Sequence, residues 1–401
     1  MSEDTGREGR LLTIVPSCDT YEAHFGKLDV DPVQLANGSY RGTWISQYAA
    51  ILQRFGIRVR LVVPTLGENV TYEGSLLTLV LVRASLWYRL AARLGGRLNR
   101  SRARVVFSAL SSLCLRDQLI QQKSDCVYLQ EYATGRYLYL SRVLTQAGVA
   151  HVGAYHGTSV AQLGPWQRAF SRGVHRLSVL TTEEMNCVLE SQIEADVSLI
   201  PNAVNSLWFE ARSTRSQDGC ASIVWVGRME RRAKGLALLL SIVERFSPED
   251  GYRFIVVGDG PDRHWFESCV ISAGLGELVS IIGRIDSADD LAEVLAASVV
   301  VLNTSSVEGF PISVLEAMSA GCGVVATNLP YVATELRGAP AVASYSSGDA
   351  GAAARLIVEM SRMMLDEDVR AAQRSWVRAR FSEDVFAAQI IEFAGLPYID
   401  T

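Results

Sequence analysis

A chain of 401 residues with a formal net charge of −5 is long enough for two or three domains and too acidic for a general nucleic-acid-binding protein. Hydrophobic residues make up 49% of the sequence and charged residues 20%, which excludes an intrinsically disordered protein. The seven scattered cysteines show no metal-ligand spacing and indicate a reduced, cytosolic chain. Because the N-terminus lacks a signal peptide and no apolar run could cross a membrane, we expect a soluble or at most peripheral protein.

A parallel α/β pattern begins near the N-terminus. The apolar run LLTIVPS (11–17) predicts a buried strand, residues 43–56 predict a helix that ends at a glycine, and IRVRLVVP (57–64) predicts the next strand. Strand, helix and strand in this order form the parallel α/β unit. The polar stretch from Cys18 to Gly42 is long for a connection, which is typical of a functional or mobile loop.

An arginine-rich segment follows. No acidic residue occurs from Leu76 to Arg116, and at helical spacing five arginines share one face while five apolar side chains lie on the adjoining face. The arginines are Arg89, Arg93, Arg97, Arg100 and Arg104, and the apolar residues are Leu86, Trp87, Leu90, Leu94 and Leu98. A solvated helix that packs its leucines inward and a surface helix that binds anionic lipid both agree with this pattern.

The alternation of strands and helices continues along the rest of the chain. Strands are predicted at DCVYLQ, AHVGAYHG, LSVLTT and VSLIPN, and later at ASIVWVG, YRFIVVGDG, LVSIIG, SVVVLNT and GVVAT. We interpret the polar stretch from Trp208 to Gly219 as a linker between two halves. The sequence therefore predicts two tandem, Rossmann-like, doubly wound α/β domains facing a cleft, residues 1–207 and 208–381. A helix at about residues 382–396 is expected to pack back on the first domain.

Two cations follow a strand of the second half. In ASIVWVGRMERRAKG, Arg228 and Lys234 lie between the end of a strand and the start of a helix, a position that suits a bound phosphate. A solvated turn explains these residues equally well. The next glycine-rich turn, VVGDGP (256–261), lacks the GxGxxG spacing of a dinucleotide fingerprint and is interpreted as a strand-ending turn.

Two glutamates enclose an apolar run in EGFPISVLE. Pro311 is predicted as the first helical residue, which leaves the N–H groups of Ile312 and Ser313 free as an anion site. Glu308 and Glu316 cannot both bind one phosphate group, because like charges repel. They can instead accept hydroxyl groups on the two sides of a diphosphate, which is the layout of a nucleotide sugar.

Five segments of the chain, between residues 197 and 327, together resemble the motifs of one protein family. They are VSLIPNAVN, VGRMERRAKG, VVGDGP, VSIIGRI and SSVEGFPISVLEAMSAGCGVVAT. Together they resemble the retaining glycosyltransferases of the GT-B fold, the group 1 or family-four-like enzymes. The paired glutamates followed by LEAM and GxxVVA are the most specific part, whereas the first half is similar by pattern only. The resemblance implies an acceptor-side first domain and a second domain that binds a nucleotide-sugar donor, with no metal or other cofactor.

The resemblance also implies roles for single residues. Arg228 and Lys234 would hold the diphosphate and neutralise the charge that grows on it as the glycosidic bond breaks. Glu308 would accept hydroxyls of the donor sugar, and Glu316 would accept those of the ribose. Further donor contacts are implied at Gly227, Gly283, Arg284, Phe310, Pro311 and Ile312.

On the acceptor side the implied residues are fewer. The resemblance places His156 opposite the donor sugar, with a catalytic role, and assigns Gly38 and Gly42 to an acceptor-side loop. This loop departs from the family, whose glycines are paired at this point. The sequence Asp29-Val-Asp31 imitates the metal-binding DxD of a different glycosyltransferase fold, and we interpret it as a chance match.

The function implied is transfer of a sugar, with retention and without a metal, from a nucleotide-diphosphate sugar to an acceptor hydroxyl. The acceptor would be a glycan or a lipid-linked molecule, in the synthesis of a surface polysaccharide, a glycolipid or another glycoconjugate. A cytoplasmic enzyme, or one bound peripherally to the inner face of the membrane, is expected. The alternatives are a nucleotide-sugar epimerase-like enzyme and a non-catalytic nucleotide-sugar-binding subunit of the same fold.

Overall fold

The computed structural model describes residues 10–39, 44–94, 101–132, 134–155, 176–191, 195–211 and 220–396. Within these ranges the chain divides into two compact units. Unit 1 comprises Met1–Leu180, Glu184–Ile200 and Ala387–Thr401, and unit 2 comprises Thr181–Glu183 and Pro201–Phe386. The domain limit predicted between residues 207 and 208 falls inside unit 2, because the change of composition marks a polar segment of that unit and not its first residue.

Unit 1 is built on a largely parallel sheet. Its strands are β1 (Leu11–Val15), β2 (Arg58–Thr65), β3 (Val70–Glu73), β4 (Thr78–Arg83), β5 (Cys126–Gln130), β6 (His151–Ala154), β7 (Arg176–Val179) and β8 (Asp196–Leu199). Their order across the sheet is β3-β4-β2-β1-β5-β6-β7-β8, and β3 is antiparallel to β4 while the other neighbours pair in parallel. The predicted strands of this half are confirmed, whereas β3 and β4 were not predicted.

The helices of the first 200 residues connect these strands. They are α1 (Tyr21–His24), α2 (Pro32–Asn37), α3 (Trp44–Arg54), α4 (Leu86–Leu94), α5 (Ser101–Ser112), α6 (Leu115–Gln121), α7 (Gly135–Gln146) and α8 (Thr182–Glu190). The long stretch predicted as a loop therefore contains two short helices. Asp31 explains the second one, because its carboxylate accepts hydrogen bonds from Val33 N at 2.8 Å and Gln34 N at 3.2 Å and so caps α2.

Unit 2 contains a fully parallel sheet. Its strands are β9 (Ala221–Val226), β10 (Tyr252–Val257), β11 (Val279–Gly283), β12 (Val300–Asn303), β13 (Gly323–Thr327) and β14 (Val342–Tyr345). The helices after residue 200 are α9 (Leu207–Glu210), α10 (Leu236–Val243), α11 (Arg263–Ser272), α12 (Ala288–Ala297), α13 (Ile312–Ser319), α14 (Pro330–Ala333), α15 (Ala350–Met363), α16 (Glu367–Phe381) and α17 (Glu383–Phe393). The last of them, α17, belongs to unit 1 from Ala387 onward. The central strands are continuous apolar runs because helices cover both faces of a parallel sheet. The prediction of two doubly wound α/β units is confirmed.

The order of the strands in unit 2 decides where a ligand can bind. The sheet runs β11-β10-β9-β12-β13-β14, so the chain first builds outward from β9 to β11 and then returns to the other side of β9 with β12. The switch point of the sheet lies between β9 and β12. In open α/β sheets, ligands bind at the carboxyl ends of the strands beside such a switch point. The loops after β9 and β12 are therefore the first place to look for a site.

The arginine-rich segment does not form the single helix that its spacing predicts. The rings of Tyr88 in α4 and Phe107 in α5 lie 4.6 Å apart between centroids. In one continuous helix, residues 88 and 107 would be separated by about 28 Å, at a rise of about 1.5 Å per residue. The two helices therefore pack side by side, and Arg89 and Arg104 belong to different helices. Arg97 and Arg100 lie outside the described residues.

Candidate functional site

The loops after β9 and β12 interlock at the switch point. Gly235 begins α10 with a φ of +64°, and a Cβ atom there would lie 2.0 Å from the carbonyl oxygen of Thr304. The hydroxyl of Thr304 donates to the carbonyl of Lys234 at 2.7 Å and accepts from the indole N–H of Trp225 at 3.0 Å. Ser306 N donates to the carbonyl of Ala233 at 2.9 Å. These contacts fix Lys234 against the loop that carries Glu308.

Lys234 and Glu308 form an ion pair. Lys234 Nζ donates to Glu308 Oε1, and the hydroxyl of Ser305 donates to the same oxygen at 2.7 Å. The side chains are 26% and 10% exposed, respectively. Among the described residues, none donates to Glu308 Oε2. The sequence predicted one residue at the diphosphate and the other at the sugar, and the structure brings them into direct contact with one carboxylate oxygen left free.

Glu316 differs from Glu308 in having no cation beside it. It lies in α13, and in the described part of the chain no group donates a hydrogen bond to its carboxylate. Burial raises the pKa of Glu316 to about 7, because the carboxylate form loses hydration without gaining a partner. The two glutamates of the sequence pattern are thus in opposite states, one paired with a cation and one without hydrogen-bond donors.

A free cation and two free N–H groups complete the site. Arg228 follows β9 and is exposed, and within the described ranges it forms no ion pair. Pro311 is the N-cap of α13 with extended backbone and not its first helical residue, so the predicted helix start is wrong by one position. The N–H groups of Ile312 and Ser313 still donate to no described residue, as the first turn of a helix requires. The helix N-terminus can therefore accept an anion.

The buried side chain of Phe310 anchors the loop after β12. Its side chain is buried, and its ring lies 5.2 Å from the ring of Phe381 and 6.1 Å from that of Tyr331. The amide of Asn202 donates to the carbonyl of Phe310 at 2.8 Å. Sequence analysis missed Asn202 and Ser305, although Asn202 lies inside the segment VSLIPNAVN. The asparagine at the end of the predicted strand VSLIPN was the available signal.

The turn after β10 packs so closely against its neighbours that it requires glycine. A Cβ atom on Gly258, which has a φ of +142°, would lie 1.9 Å from the carbonyl oxygen of Gly227. Gly258 N donates to the carbonyl of Gly283 at 2.8 Å, and this fixes the end of β11. Arg284, which follows it, forms an ion pair with Asp286 at 2.7 Å. The interpretation as a strand-ending turn agrees with this packing, and the donor contacts at Gly227, Gly283 and Arg284 stay predictions.

The acceptor-side residues are only partly described. His156 and Gly42 lie outside the described residues. Gly38 ends α2 as its C-cap, a structural role that accounts for the glycine. No group of three or more His, Cys, Asp or Glu residues in the described ranges has the arrangement of a metal site. In the same ranges, no helix combines the length and the apolar character that crossing a membrane requires.

Solved structures resemble the whole chain. Sucrose-phosphate synthase from Thermosynechococcus elongatus has a TM-score of 0.69 at 18% identity, over 96% of this chain and 98% of that chain. Anabaena HepE in complex with UDP and glucose has a TM-score of 0.60 at 14% identity, over 96% and 99%. At these identities the likeness concerns the fold, and the chain has the GT-B fold.

Sequence comparisons show what part of the chain is similar to. The family model described as "Glycosyl transferases group 1" matches residues 220–362. One subunit of the phosphatidylinositol N-acetylglucosaminyltransferase of Arabidopsis thaliana is 32% identical over 186 residues, 45% of this chain and 40% of that protein. Phosphatidyl-myo-inositol mannosyltransferase of Mycobacterium leprae is 30% identical over 210 residues, 50% of this chain and 54% of that protein. The chain spans about half the length of these relatives or less, and its similarity to the group 1 glycosyltransferases concerns that part of the chain.

Proposed function

We propose that the protein is a retaining glycosyltransferase that moves a sugar from a nucleotide-diphosphate sugar to an acceptor hydroxyl. The observation that carries the proposal is the arrangement at the switch point of unit 2. There, Lys234 is held against Glu308 beside the open N-terminus of α13, and Glu316 lies further along the same helix with no hydrogen-bond donor among the described residues. An anion site between two carboxylates fits a diphosphate between two sets of hydroxyl groups.

In this mechanism each polar group of the site has one task. Arg228 and Lys234 neutralise the charge that develops on the leaving diphosphate, and the N–H groups of Ile312 and Ser313 donate to its oxygens. The free oxygen of Glu308 accepts hydroxyls of the donor sugar. The acceptor hydroxyl attacks on the face that the diphosphate leaves, its oxygen forms the new glycosidic bond, and its proton passes to a phosphate oxygen. No metal ion is required, because protein cations balance the charge.

Glu316 has the task of recognising the ribose. A carboxylate without a partner in a buried place is unfavourable until donors reach it. Two vicinal hydroxyl groups supply such donors, and hydrogen bonds to a charged group are the strong ones. In this arrangement Glu316 binds the ribose of the donor, Arg228 and Lys234 bind its phosphates, and Glu308 binds its sugar.

For the acceptor we propose a hydroxyl group of a lipid-linked molecule. Support comes from the two relatives, of which one belongs to a phosphatidylinositol N-acetylglucosaminyltransferase and the other is a phosphatidyl-myo-inositol mannosyltransferase. A glycan acceptor in surface polysaccharide synthesis is the second candidate, and the same assay distinguishes the two when both acceptors are offered.

A panel of nucleotide sugars tests the proposed function. UDP-, GDP- and ADP-linked hexoses are screened for thermal stabilisation, since a ligand at 100 times its dissociation constant adds about 2.7 kcal/mol to the stability. With the donor that stabilises the protein, we expect transfer to an acceptor, a product that keeps the anomeric configuration by NMR, and activity that persists in EDTA. A change of the sugar without transfer supports the epimerase alternative, binding without turnover supports a non-catalytic role, and an inverted product contradicts the proposal.

We further propose that unit 1 binds an anionic bilayer through α4 and α5. Leu86, Trp87 and Leu90 are 60%, 69% and 42% exposed, so these leucines do not pack inward, and Val106 of α5 is also exposed. An exposed apolar patch on an arginine-rich helix pair is typical of a surface that inserts at the interface of a membrane. Each arginine near an anionic surface contributes about 1 kcal/mol.

Liposome flotation tests the bilayer proposal. The wild type is expected to float with anionic vesicles at low salt, less at high salt, and not with neutral vesicles. Trp87→Ser with Leu90→Ser, and separately the combined replacement of Arg89, Arg93, Arg97 and Arg100 by serine, should each abolish flotation. Ile271→Ser is the matched control, since Ile271 is 77% exposed in unit 2. A wild type that never floats contradicts the proposal and makes a soluble acceptor the better candidate.

A further inference from the structure

Tyr331 carries a buried hydroxyl group without a hydrogen-bond partner. It lies in α14, directly after β13, and its side chain is 1% exposed. In the part of the chain that the structure describes, nothing bonds to its phenolic oxygen. A buried hydroxyl group without a hydrogen bond destabilises the folded state, because it has lost its hydration. Phenylalanine would fill almost the same space without this cost in free energy. This suggests that the hydroxyl group forms its hydrogen bond only when a ligand is bound.

The position of Tyr331 connects it with Glu308. Its ring packs edge-on against Phe310, with the centroids 6.1 Å apart and an interplanar angle of 60°. Phe310 lies two residues after Glu308 in the same loop. Burial raises the pKa of Tyr331, and the negative charge of Glu308 raises it further, so the phenol stays protonated. A protonated phenol is a hydrogen-bond donor at any physiological pH.

A second tyrosine beneath the site behaves differently. Tyr345 ends β14, and its hydroxyl donates to the carbonyl of Asn303 at 3.1 Å. Both side chains are buried, but only the hydroxyl of Tyr345 has a partner in the described structure. Of these two tyrosines only Tyr331 lacks a bond in the described structure, so burial in this part of unit 2 does not by itself explain the missing bond.

The ion pair of the ligand-free site supplies a reason for a spare donor. Glu308 is held by Lys234 and Ser305, both on Oε1. In the proposed reaction Lys234 has to neutralise the diphosphate, and its ammonium group then divides its hydrogen bonds between phosphate and carboxylate. A carboxylate held by fewer hydrogen bonds is less well oriented to accept the sugar hydroxyls. The rate of transfer then falls, because it depends on the orientation of the groups at the reacting centre.

We propose that Tyr331 is a positioning residue, which donates its phenolic hydrogen to the Glu308 carboxylate when Lys234 turns to the donor diphosphate. Tyr331 then keeps Glu308 in the orientation that binds the hydroxyls of the transferred sugar. The inference rests on the proposed function. It adds that donor binding exchanges one partner of Glu308 for another, with a neutral donor in place of a cation, so the carboxylate keeps its full charge toward the sugar.

The variant Tyr331→Phe tests the inference with three readouts. The melting temperature of the ligand-free protein should be unchanged or higher, because an unpartnered buried hydroxyl is removed. The affinity for the nucleoside diphosphate of the donor found in the panel should be unchanged. The kcat of transfer should fall by about 10- to 100-fold, as expected for a lost hydrogen bond to a charged group. This separation of stability, binding and turnover is not produced by a structural role alone.

Two other tyrosines provide matched controls. Tyr132→Phe removes a buried phenolic oxygen of unit 1 that also has no partner in the described residues, and it should leave transfer unchanged. Tyr345→Phe breaks the bond to Asn303 and should lower the melting temperature. A fall in melting temperature for Tyr331→Phe that equals the fall for Tyr345→Phe would mean that the hydroxyl is bonded in the ligand-free protein, which overturns the inference.

A double-mutant cycle with Glu308→Gln decides whether Tyr331 acts through Glu308. If it does, Tyr331→Phe should have little further effect on kcat in the Glu308→Gln background. Additive losses, or unchanged transfer by Tyr331→Phe in an active wild type, overturn the inference and leave the proposed function standing. A wild type that transfers no sugar from any donor of the panel overturns both.

Discussion

Lys234→Ala and Arg228→Ala are each expected to lower the rate of sugar transfer by about 100- to 1,000-fold, the usual loss when one group that stabilises transition-state charge is removed. Both cations follow β9 at the switch point of unit 2, where the leaving diphosphate develops its charge in the proposed reaction. The measurement is kcat of the purified, folded variants with the donor found in the panel. Arg232→Ala is the control, because Arg232 is an exposed cation of the same loop.

The two variants should differ in stability. Lys234→Ala leaves Glu308, which is 10% exposed, without its cation, so the melting temperature of the ligand-free protein should fall. Arg228→Ala removes an exposed side chain without an ion pair in the described structure and should leave the melting temperature unchanged. Transfer rates close to that of the wild type in both variants would refute the assignment of these cations to the diphosphate.

Binding of the nucleoside diphosphate is expected to tighten as the pH rises from 6 to 8, and to release a proton near pH 7. Burial raises the pKa of Glu316 from 4.5 to about 7 in the ligand-free protein, so part of the population is protonated at neutral pH. Ribose hydroxyls donate to the ionised form, which lowers the pKa of Glu316 in the complex and expels the proton. Calorimetry in buffers of different ionisation enthalpy measures this release directly.

The same shift has a consequence for folding. Because the pKa of Glu316 is higher in the folded than in the unfolded chain, the stabilising contribution of its protonated form is complete below about pH 4.5. That contribution is lost as the pH rises through about 7. Glu316→Gln should therefore flatten the stability of the ligand-free protein across this interval.

Glu316→Gln and Glu308→Gln form a pair that separates the two ends of the donor. Glu316→Gln should weaken nucleoside diphosphate binding by about 1–3 kcal/mol and abolish the proton release. Glu308→Gln should spare that binding and damage transfer, since its free oxygen faces the sugar in the proposed complex. The reverse pattern would show that the two roles have been exchanged.

The sequence predicts the strands of both sheets well for a physical reason. Parallel strands such as β9 and β12 are buried on both faces, so they appear as uninterrupted apolar runs between turns. The strand β3 has only four, mostly exposed residues and no apolar run, and it was missed together with its partner β4. The change of chain direction between α4 and α5 was missed because the helical spacing of the arginines continues through both helices. Such spacing contains no information on where the chain turns.

The sequence proposed the residues of the candidate site but not their contacts. Arg228, Lys234, Glu308 and Glu316 were identified from their types and from their places after strands. The pairing of Lys234 with Glu308 joins loops that are 74 positions apart, and only the order β9-β12 across the sheet brings them together. Tyr331 had no signal at all in the sequence, since an orphaned hydroxyl is a property of packing.

The interlocked loops also decide which positions of this protein can be altered. At Gly235 and Gly258, a single added methyl group would stand about 2 Å from a carbonyl oxygen of a neighbouring loop, so neither position tolerates a side chain. The exposed residues between β9 and Gly235, such as Arg231 and Arg232, have no such restriction. A library made to change donor preference should hold the two glycines constant and randomise the exposed positions, because variants that alter the glycines will be lost to misfolding before their specificity can be selected.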